Sequence, residues 1–314
     1  MRCLVCSPNY TKKWNRVHEI YKQDLFEDQD VVFFGRGYPL WEDNKIYSAL
    51  HLMKQFSADI LFVFHSKYVR HWLTDIEFVK NSVCYQVDYY PEREHEQWRN
   101  DYLILNKFNL TIFPNRFMID QFRAINSKRE LPLTLYLPFG INTEVFKPDL
   151  EVEKSIDVAC IMSFNKKEYP NRQIIFDTIR KSLMPHTFLH KITQSSEAFH
   201  LDFYIHTLQH AKIGIHSCDR YRSTALKCFE ILGCGALLFT DAATDFDHLG
   251  FRNGVNYIEY NVDQIRSIPK QLERILRDTD KLQLIANNGI DFVQQNHTNK
   301  HRALKLWSFI KGAL

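Results

Sequence analysis

Apolar and polar positions recur along the chain in a fixed order. A short apolar run comes first, then a stretch in which apolar residues return every three or four positions. Residues 2–6 (RCLVC), 30–34 (DVVFF) and 59–64 (DILFVF) are runs of the first kind, as are 82–87, 110–113 and 133–137. Between them, Trp14, Val17, Tyr21 and Leu25 mark one amphipathic helix. Ile46, Ala49, Leu50, Met53 and Phe56 mark a second, and Phe117, Ile119 and Phe122 a third. Near-continuous apolar strands separated by helices predict parallel strands with crossover helices. The second half repeats the rhythm, with strands at 156–162, 187–190, 212–217, 236–240 and 257–260. Its helices begin near Asn171, carry Phe199, Phe203 and Ile205, and continue through Ile265, Ile268, Leu272, Ile275 and Leu276, then Leu284, Ile285, Ile290 and Phe292. A final helix carries Leu304, Trp307, Phe309 and Ile310. The expected fold class is α/β, with two Rossmann-like parallel-sheet layers.

Residues 222–241 (RSTALKCFEILGCGALLFTD) concentrate the chemistry. Leu226, Phe229, Glu230 and Gly233 share one helical stripe. The Glu230 carboxylate therefore sits in an otherwise apolar run, a costly position unless it accepts hydrogen bonds or meets a cation. Gly233 and Gly235 end the helix, and Ser223 or Thr224 is the expected N-cap. In parallel α/β sheets ligands bind at the carboxyl ends of strands, where helix N-termini attract phosphate. This stretch thus suits an anion at Ser223 and Thr224 and a hydroxyl acceptor at Glu230. A sugar nucleotide offers both a diphosphate and a ribose with two free hydroxyls.

Lys227-Cys228-Phe229-Glu230-Ile231-Leu232-Gly233-Cys234-Gly235-Ala236 resembles the donor-binding segment of GT-B glycosyltransferases of family four, especially the spore-maturation CgeB-like branch. The resemblance implies a ribose-binding role for Glu230. It expects a second glutamate eight residues earlier, where this chain has Arg222. A second segment, residues 137–148, resembles that family's interdomain signature through Pro138, Gly140, Phe146 and Pro148, with Ile141 and Asn142 in place of the usual valine and aspartate. The implied organisation is an acceptor domain at 1–148, a donor domain at 149–298 and a last helix at 299–314 that crosses back to the first domain. The two domains would face a cleft. The first half matches in rhythm only.

The loop 163–172 carries Lys166, Lys167 and Arg172 and is similar to the CgeB-like Tyr-Pro-x-Arg loop; it suits a diphosphate, with Arg172 the leading candidate and Lys166 or Lys167 beside it. The alternative is a solvated loop with surface lysines. Arg222 and Lys227 flank the same region; an arginine there clamps phosphate by paired bonds, while Lys227 alternatively pairs with Glu230. Gly233 completes the donor-binding set. In the first half, Asp88 and His65 end buried strands. Asp88 is the candidate to orient or deprotonate an acceptor hydroxyl, and His65 to contact sugar or acceptor. The alternatives are a turn aspartate and a core-edge histidine. The charged run at 92–96 reads as a solvated helix start.

Composition narrows the classes further. The chain has 314 residues, enough for two domains, with 24 Phe and 15 Tyr arguing against disorder. A net charge of +3 allows an anionic substrate without requiring nucleic acid. The seven cysteines have no metal spacing, and the Cys3–Cys6 pair falls on opposite faces of a strand. Apolar settings for the other five suit reduced thiols and a cytoplasmic location. No apolar run has the length of a membrane span, and Met1 leads straight into a strand. No GxGxxG follows a strand, which argues against a dinucleotide oxidoreductase, and no metal-ligand motif occurs. The expected activity is retaining, metal-independent transfer from a nucleotide-sugar donor, without a cofactor, to a glycan, protein, lipid or modified nucleic acid. Two alternatives stand beside it: a catalytically silent nucleotide-sugar binder and a nucleotide-sugar epimerase.

Overall fold

Short apolar runs become strands here because helices cover both faces of each sheet, so no strand needs a polar side. The computed structural model describes residues 1–9, 16–87, 102–125, 131–182, 187–192 and 200–314. Their contacts divide the chain into two units, Met1–Pro138 with Arg302–Leu314, and Phe139–His301.

The first unit contains β1 (Arg2–Cys6), α1 (Arg16–Leu25), β2 (Asp30–Phe34), β3 (Tyr47–Ser48), α2 (Ala49–Gln55), β4 (Ile60–Phe64), β5 (Leu73–Thr74), β6 (Ser82–Tyr85), β7 (Leu110–Phe113), α3 (Arg116–Ile125) and β8 (Leu133–Tyr136). Six strands form a parallel sheet in the order β2-β1-β4-β6-β7-β8. The chain leaves β1 for one side and returns to β4 on the other, so the topological switch lies between β1 and β4. β3 and β5 form a separate two-stranded parallel ladder that the hydrophobic pattern did not signal. All five residues of β4 are buried.

The second unit contains β9 (Ile156–Ser163), α4 (Arg172–Lys181), β10 (Thr187–Ile192), α5 (Leu201–His210), β11 (Ala211–Ile215), α6 (Leu226–Gly233), β12 (Leu237–Thr240), α7 (Phe246–Leu249), β13 (Ile258–Glu259), α8 (Ile268–Arg277) and α9 (Thr279–Asn296). Its parallel sheet runs β10-β9-β11-β12-β13, with the switch between β9 and β11. The last helix, α10 (Asn299–Ala313), joins the first unit from Arg302 onward. There Trp307 Nε1 donates to Leu25 O at 2.7 Å and Arg302 Nε to Pro138 O at 2.9 Å.

Several elements differ from the sequence reading in detail. The segment 139–148, read as the end of the first domain, packs within the second unit, where Ile141 pairs with Thr298 and Phe146 is buried. Ile46 is exposed and lies outside α2, which starts at Ala49 because Ser48 Oγ caps it by accepting from His51 N. Leu304 also faces solvent; α10 buries Leu306, Trp307 and Ile310. Phe199 and the charged run at 92–96 lie outside the described residues. All seven cysteines are buried free thiols. Among the described residues no helix is long and apolar enough to cross a membrane.

Candidate functional site

In the second unit the switch between β9 and β11 is where strand ends stop pairing with each other, and it is lined by cations. β11 ends at Ile215, opposite Cys160, so Ile161 lies one residue beyond the last pair. Lys227, in the first turn of α6, donates to Ile161 O at 2.7 Å. Arg172 opens α4 and bridges both strand ends: its Nε donates to Ser217 O at 3.0 Å and its Nη1 to Ser163 Oγ at 3.1 Å. The guanidinium stacks on the Tyr169 ring, 3.5 Å from its centroid. That contact fixes the plane of the guanidinium. Two side chains from separate helices thus place positive charge at the position where open α/β sheets bind ligands.

α6 approaches this edge closely because Gly214 of β11 lacks a Cβ; an added one would stand 2.6 Å from Ile231. The helix ends in a Schellman motif: Ala236 N donates to Ile231 O and Gly235 N to Leu232 O, with Gly235 at φ +80°. At its other end the N-cap is Ala225, without a side-chain cap, so neither Ser223 nor Thr224 takes the capping role expected of them. Both are buried in the preceding loop, and Ser223 Oγ has no hydrogen-bond partner among the described residues. Ser223 N is held by Asp219 Oδ1 at 2.9 Å, which also accepts from Tyr221 N at 3.0 Å. Among the described residues no side chain caps the first N–H groups of α6, and uncapped helix N-termini attract anions.

Glu230 is 5% exposed, and the partner of its carboxylate is one the sequence did not suggest: Tyr204 of α5, whose hydroxyl donates to Oε2 at 2.6 Å. Burial pushes the Glu230 carboxyl up, while the Tyr204 hydrogen bond and the Lys227 charge pull it down. Burial likewise pushes the Lys227 ammonium down to about 8, against the pull of Glu230. Lys227 turns to Ile161 O rather than closing the ion pair with Glu230 that its three-residue spacing suggested.

Three candidates sit apart from this cluster. Arg222 adopts φ +56° and folds onto Ala242 O, with Nε at 2.8 Å and Nη2 at 2.6 Å. That fork of Nε and Nη2 turns the guanidinium toward Ala242 O, away from the Arg172 and Lys227 bonds. Gly233 is a packing position: a Cβ there would stand 2.4 Å from Ile141 Cδ1 and 2.9 Å from Phe146 O. Lys166 is an exposed loop residue, as is Lys167.

In the first unit His65 directly follows β4, beside the switch between β1 and β4, and is 4% exposed. Its φ of +75° with ψ of +109° is a sparsely populated backbone state for a side chain with a Cβ. The ring meets Tyr68 edge-on at 5.1 Å. Next to it, Ser66 N donates to Gln86 Oε1 at 3.1 Å. Asp88 lies outside the described residues. The ends of β1 and β2 carry a buried group that periodicity concealed. Lys22 Nζ meets Glu19 at 2.8 Å, Ser7 Oγ at 2.8 Å and the Tyr38 hydroxyl at 2.7 Å. It pins the two loops together, and burial pushes its ammonium down to about 8.

Similarity to known proteins follows this division. Residues 187–308, less than half of the chain, match a family model described as glycosyl transferase-like, and these residues include α6 with Glu230 and Lys227. Among solved structures, sucrose-phosphate synthase from Thermosynechococcus elongatus superimposes with a TM-score of 0.72 at 12% identity, covering 99% of this chain and 98% of that one. HepE from Anabaena in complex with UDP-glucose gives 0.67 at 13% identity, covering 99% and 100%. The E. coli trehalose-6-phosphate structure bound with UDP-2-fluoro glucose gives 0.69 at 11% identity, covering 99% of each chain. The fold is the GT-B fold. Curated proteins yield no match to the chain. On the GT-B fold, the cluster around Arg172, Lys227 and Glu230 belongs to the second α/β unit, within or next to the matched residues. Among the described residues no group of three His, Cys, Asp or Glu side chains has the arrangement to hold a metal ion.

Proposed function

We propose that this GT-B protein is a glycosyltransferase that binds a nucleotide-sugar donor on its second unit and transfers the sugar to an acceptor hydroxyl. One observation carries the reading. Arg172 and Lys227, from two different helices, converge on the β9–β11 switch beside the free N-terminus of α6, and Glu230 lies one turn further along the same helix. The cations and the helix end suit the diphosphate. Glu230, with Tyr204 occupying only one of its lone-pair positions, suits the ribose hydroxyls. As the glycosidic bond breaks, the leaving diphosphate gains negative charge. Preorganised positive groups lower the energy of that state without a metal ion, so the reaction is expected to persist in EDTA. Retention of anomeric configuration belongs to the same proposal through the resemblance of residues 227–236 to family four. Acceptor chemistry is assigned to His65 and Asp88 of the first unit, and the strained His65 backbone supports its share of that role.

The test is thermal denaturation with UDP-, GDP-, ADP-, CDP- and dTDP-sugars. A donor at a hundredfold its Kd adds about 2.7 kcal/mol of stability. Absence of stabilisation by every one of them refutes the donor site. A second reading, a binder without transferase activity, draws on Arg222, whose guanidinium is engaged at Ala242 O where the family resemblance expects a carboxylate. Sugar transfer or donor hydrolysis above background excludes it.

A further inference from the structure

His216 is a buried polar group that the donor site as described leaves unused. It is 1% exposed, and neither ring nitrogen has a hydrogen-bond partner among the described residues. Its backbone extends β11 by one residue, with N donating to Phe239 O at 3.1 Å, while its carbonyl accepts from the Tyr260 hydroxyl at 3.0 Å. The backbone is therefore satisfied and fixed; only the ring is orphaned. An imidazole in this state has given up its hydration without recovering a hydrogen bond.

Position indicates what the ring is for. Side chains alternate along a strand, so His216 shares the sheet face of Gly214, the face on which α6 packs. It stands at the carboxyl end of β11, where the sheet switches direction. Arg172 and Lys227 lie near enough for their charges to disfavour protonation of the ring, and burial, the larger cause, acts in the same sense. The ring is thus neutral, with one N–H to donate and one nitrogen to accept. Arg172 and Lys227 themselves spend hydrogen bonds on Ser217 O, Ser163 Oγ and Ile161 O. An anion arriving between them meets, in His216, a donor with no competing partner.

We infer that His216 is a diphosphate-binding residue of the donor site, donating a ring N–H to a phosphoryl oxygen of a nucleoside diphosphate. The inference rests on the donor reading given under Proposed function and adds to it a neutral donor alongside the two cations. It accounts for a buried ring kept without partners: the orphaned state belongs to the free protein and ends when diphosphate binds.

Two substitutions and one spectroscopic measurement test it. His216→Phe keeps a planar aromatic ring, somewhat larger, and removes both nitrogens, whereas His216→Gln keeps an N–H donor. In calorimetry His216→Phe should weaken UDP at least tenfold and leave uridine, which lacks phosphate, within about threefold; His216→Gln should restore UDP affinity to within about threefold of the parent. The melting temperature of ligand-free His216→Phe should stay within a few degrees of the parent, because removing an orphaned polar ring offsets the cost of fitting a larger one. If the Phe variant fails to fold, histidine ring-nitrogen NMR on the parent protein decides, with the His216 signal identified by its loss in His216→Gln; saturation with UDP should shift it. UDP affinity within threefold of the parent in a folded Phe variant, or a His216 signal unmoved by UDP, overturns the inference and leaves the donor site standing. Should the parent bind none of UDP, GDP, ADP, CDP and dTDP, the donor reading and the inference fall together.

Discussion

Glu230→Gln is the sharpest probe of the proposed donor site, because the structure shows what the substitution preserves. Tyr204 donates to Oε2 at 2.6 Å, and a glutamine at 230 keeps a carbonyl oxygen there to accept that bond. The volume is unchanged, so no cavity opens beneath α6. What goes is the charge. A hydrogen bond to a charged group contributes about 1.5–3 kcal/mol and one between neutral groups about 0.5–1.5, a difference of roughly 1 kcal/mol per bond. If Glu230 accepts from both ribose hydroxyls, the nucleotide loses about 2 kcal/mol, or roughly 30-fold in affinity. Loss of the negative charge also removes a group that holds the buried Lys227 ammonium charged. The free protein should therefore lose about 1–2 kcal/mol, a fall in Tm of several degrees.

The decisive assay is a cycle between residue 230 and the ribose. Calorimetry compares UDP with 2′-deoxy-UDP on the parent and on Glu230→Gln. Removal of the 2′-hydroxyl should cost the parent more than it costs the variant, with a coupling of about 1 kcal/mol. A coupling below about 0.3 kcal/mol would show that the charge at 230 does not read the ribose. Glu230 would then be a buried structural acid for Tyr204, which the 2.6 Å bond alone equally permits.

Lys227 predicts a pH dependence: an ammonium pushed down to about 8 loses its charge as pH rises through that value, far below the ordinary lysine range. Nucleoside diphosphate affinity should be steady near pH 7 and fall by up to about tenfold per unit above 8, and Lys227→Arg should flatten the profile; equal Kd at pH 7 and pH 9 in the parent would remove Lys227 from the site. Gly233→Ala places a methyl 2.9 Å from the Phe146 carbonyl and 2.4 Å from Ile141 Cδ1; chemical denaturation should show a loss of about 1–3 kcal/mol with nucleotide affinity unchanged, and weakened affinity in a fully stable variant would return Gly233 to the binding set. Asp88→Asn should lower turnover about a hundredfold and leave donor affinity within about threefold; a loss of turnover below about tenfold would make Asp88 a turn residue only.

The α/β class was readable because parallel strands buried on both faces write themselves as apolar runs, and β1, β2, β7 and the core of β4 appear as the runs predicted. The helix bearing Glu230 was readable for the same reason. Sequence pattern does not encode partners brought together over distance. Tyr204 lies 26 residues from Glu230, and nothing in its own helix marks it as a hydrogen-bond donor. The conformation of Arg222 is not legible in residue type either: the positive φ that turns it to Ala242 O depends on the fold of the loop. Lys22 and Glu19 occupy helix positions that would be surface on an average amphipathic helix. Both are buried because Ser7 and Tyr38 close over them from neighbouring strand ends. His216 is marked in the sequence only as a histidine closing an apolar strand, KIGIHS, at a carboxyl end.

The loop between β11 and α6 shows how the site tolerates an arginine where the family resemblance expects a glutamate. A glutamate at that position would add a carboxylate to this loop. Here the loop carries its carboxylate three residues earlier, at Asp219, whose Oδ1 accepts from the backbone N–H groups of Tyr221 and Ser223. Arg220 N donates to Glu168 O, joining this loop to the one that presents Arg172. Arg222 then fastens the far side of the loop to Ala242 O, next to the end of β12. The arginine and the aspartate thus act on the backbone from opposite ends of a four-residue turn and hold Ser223 and Thr224 buried at the entrance to α6. The expected acid has been replaced by a different means of shaping the loop, while the groups that suit the nucleotide, Arg172, Lys227 and Glu230, keep their place at the sheet edge. Under the proposed function, donor binding draws on the strand ends and α6, while the loop around residue 222 is built differently from the family pattern. If that proposal holds, Arg222→Glu should change the preference among UDP-sugars in calorimetry while leaving UDP affinity within about threefold, and an unchanged sugar preference would refute a part for residue 222 in sugar recognition.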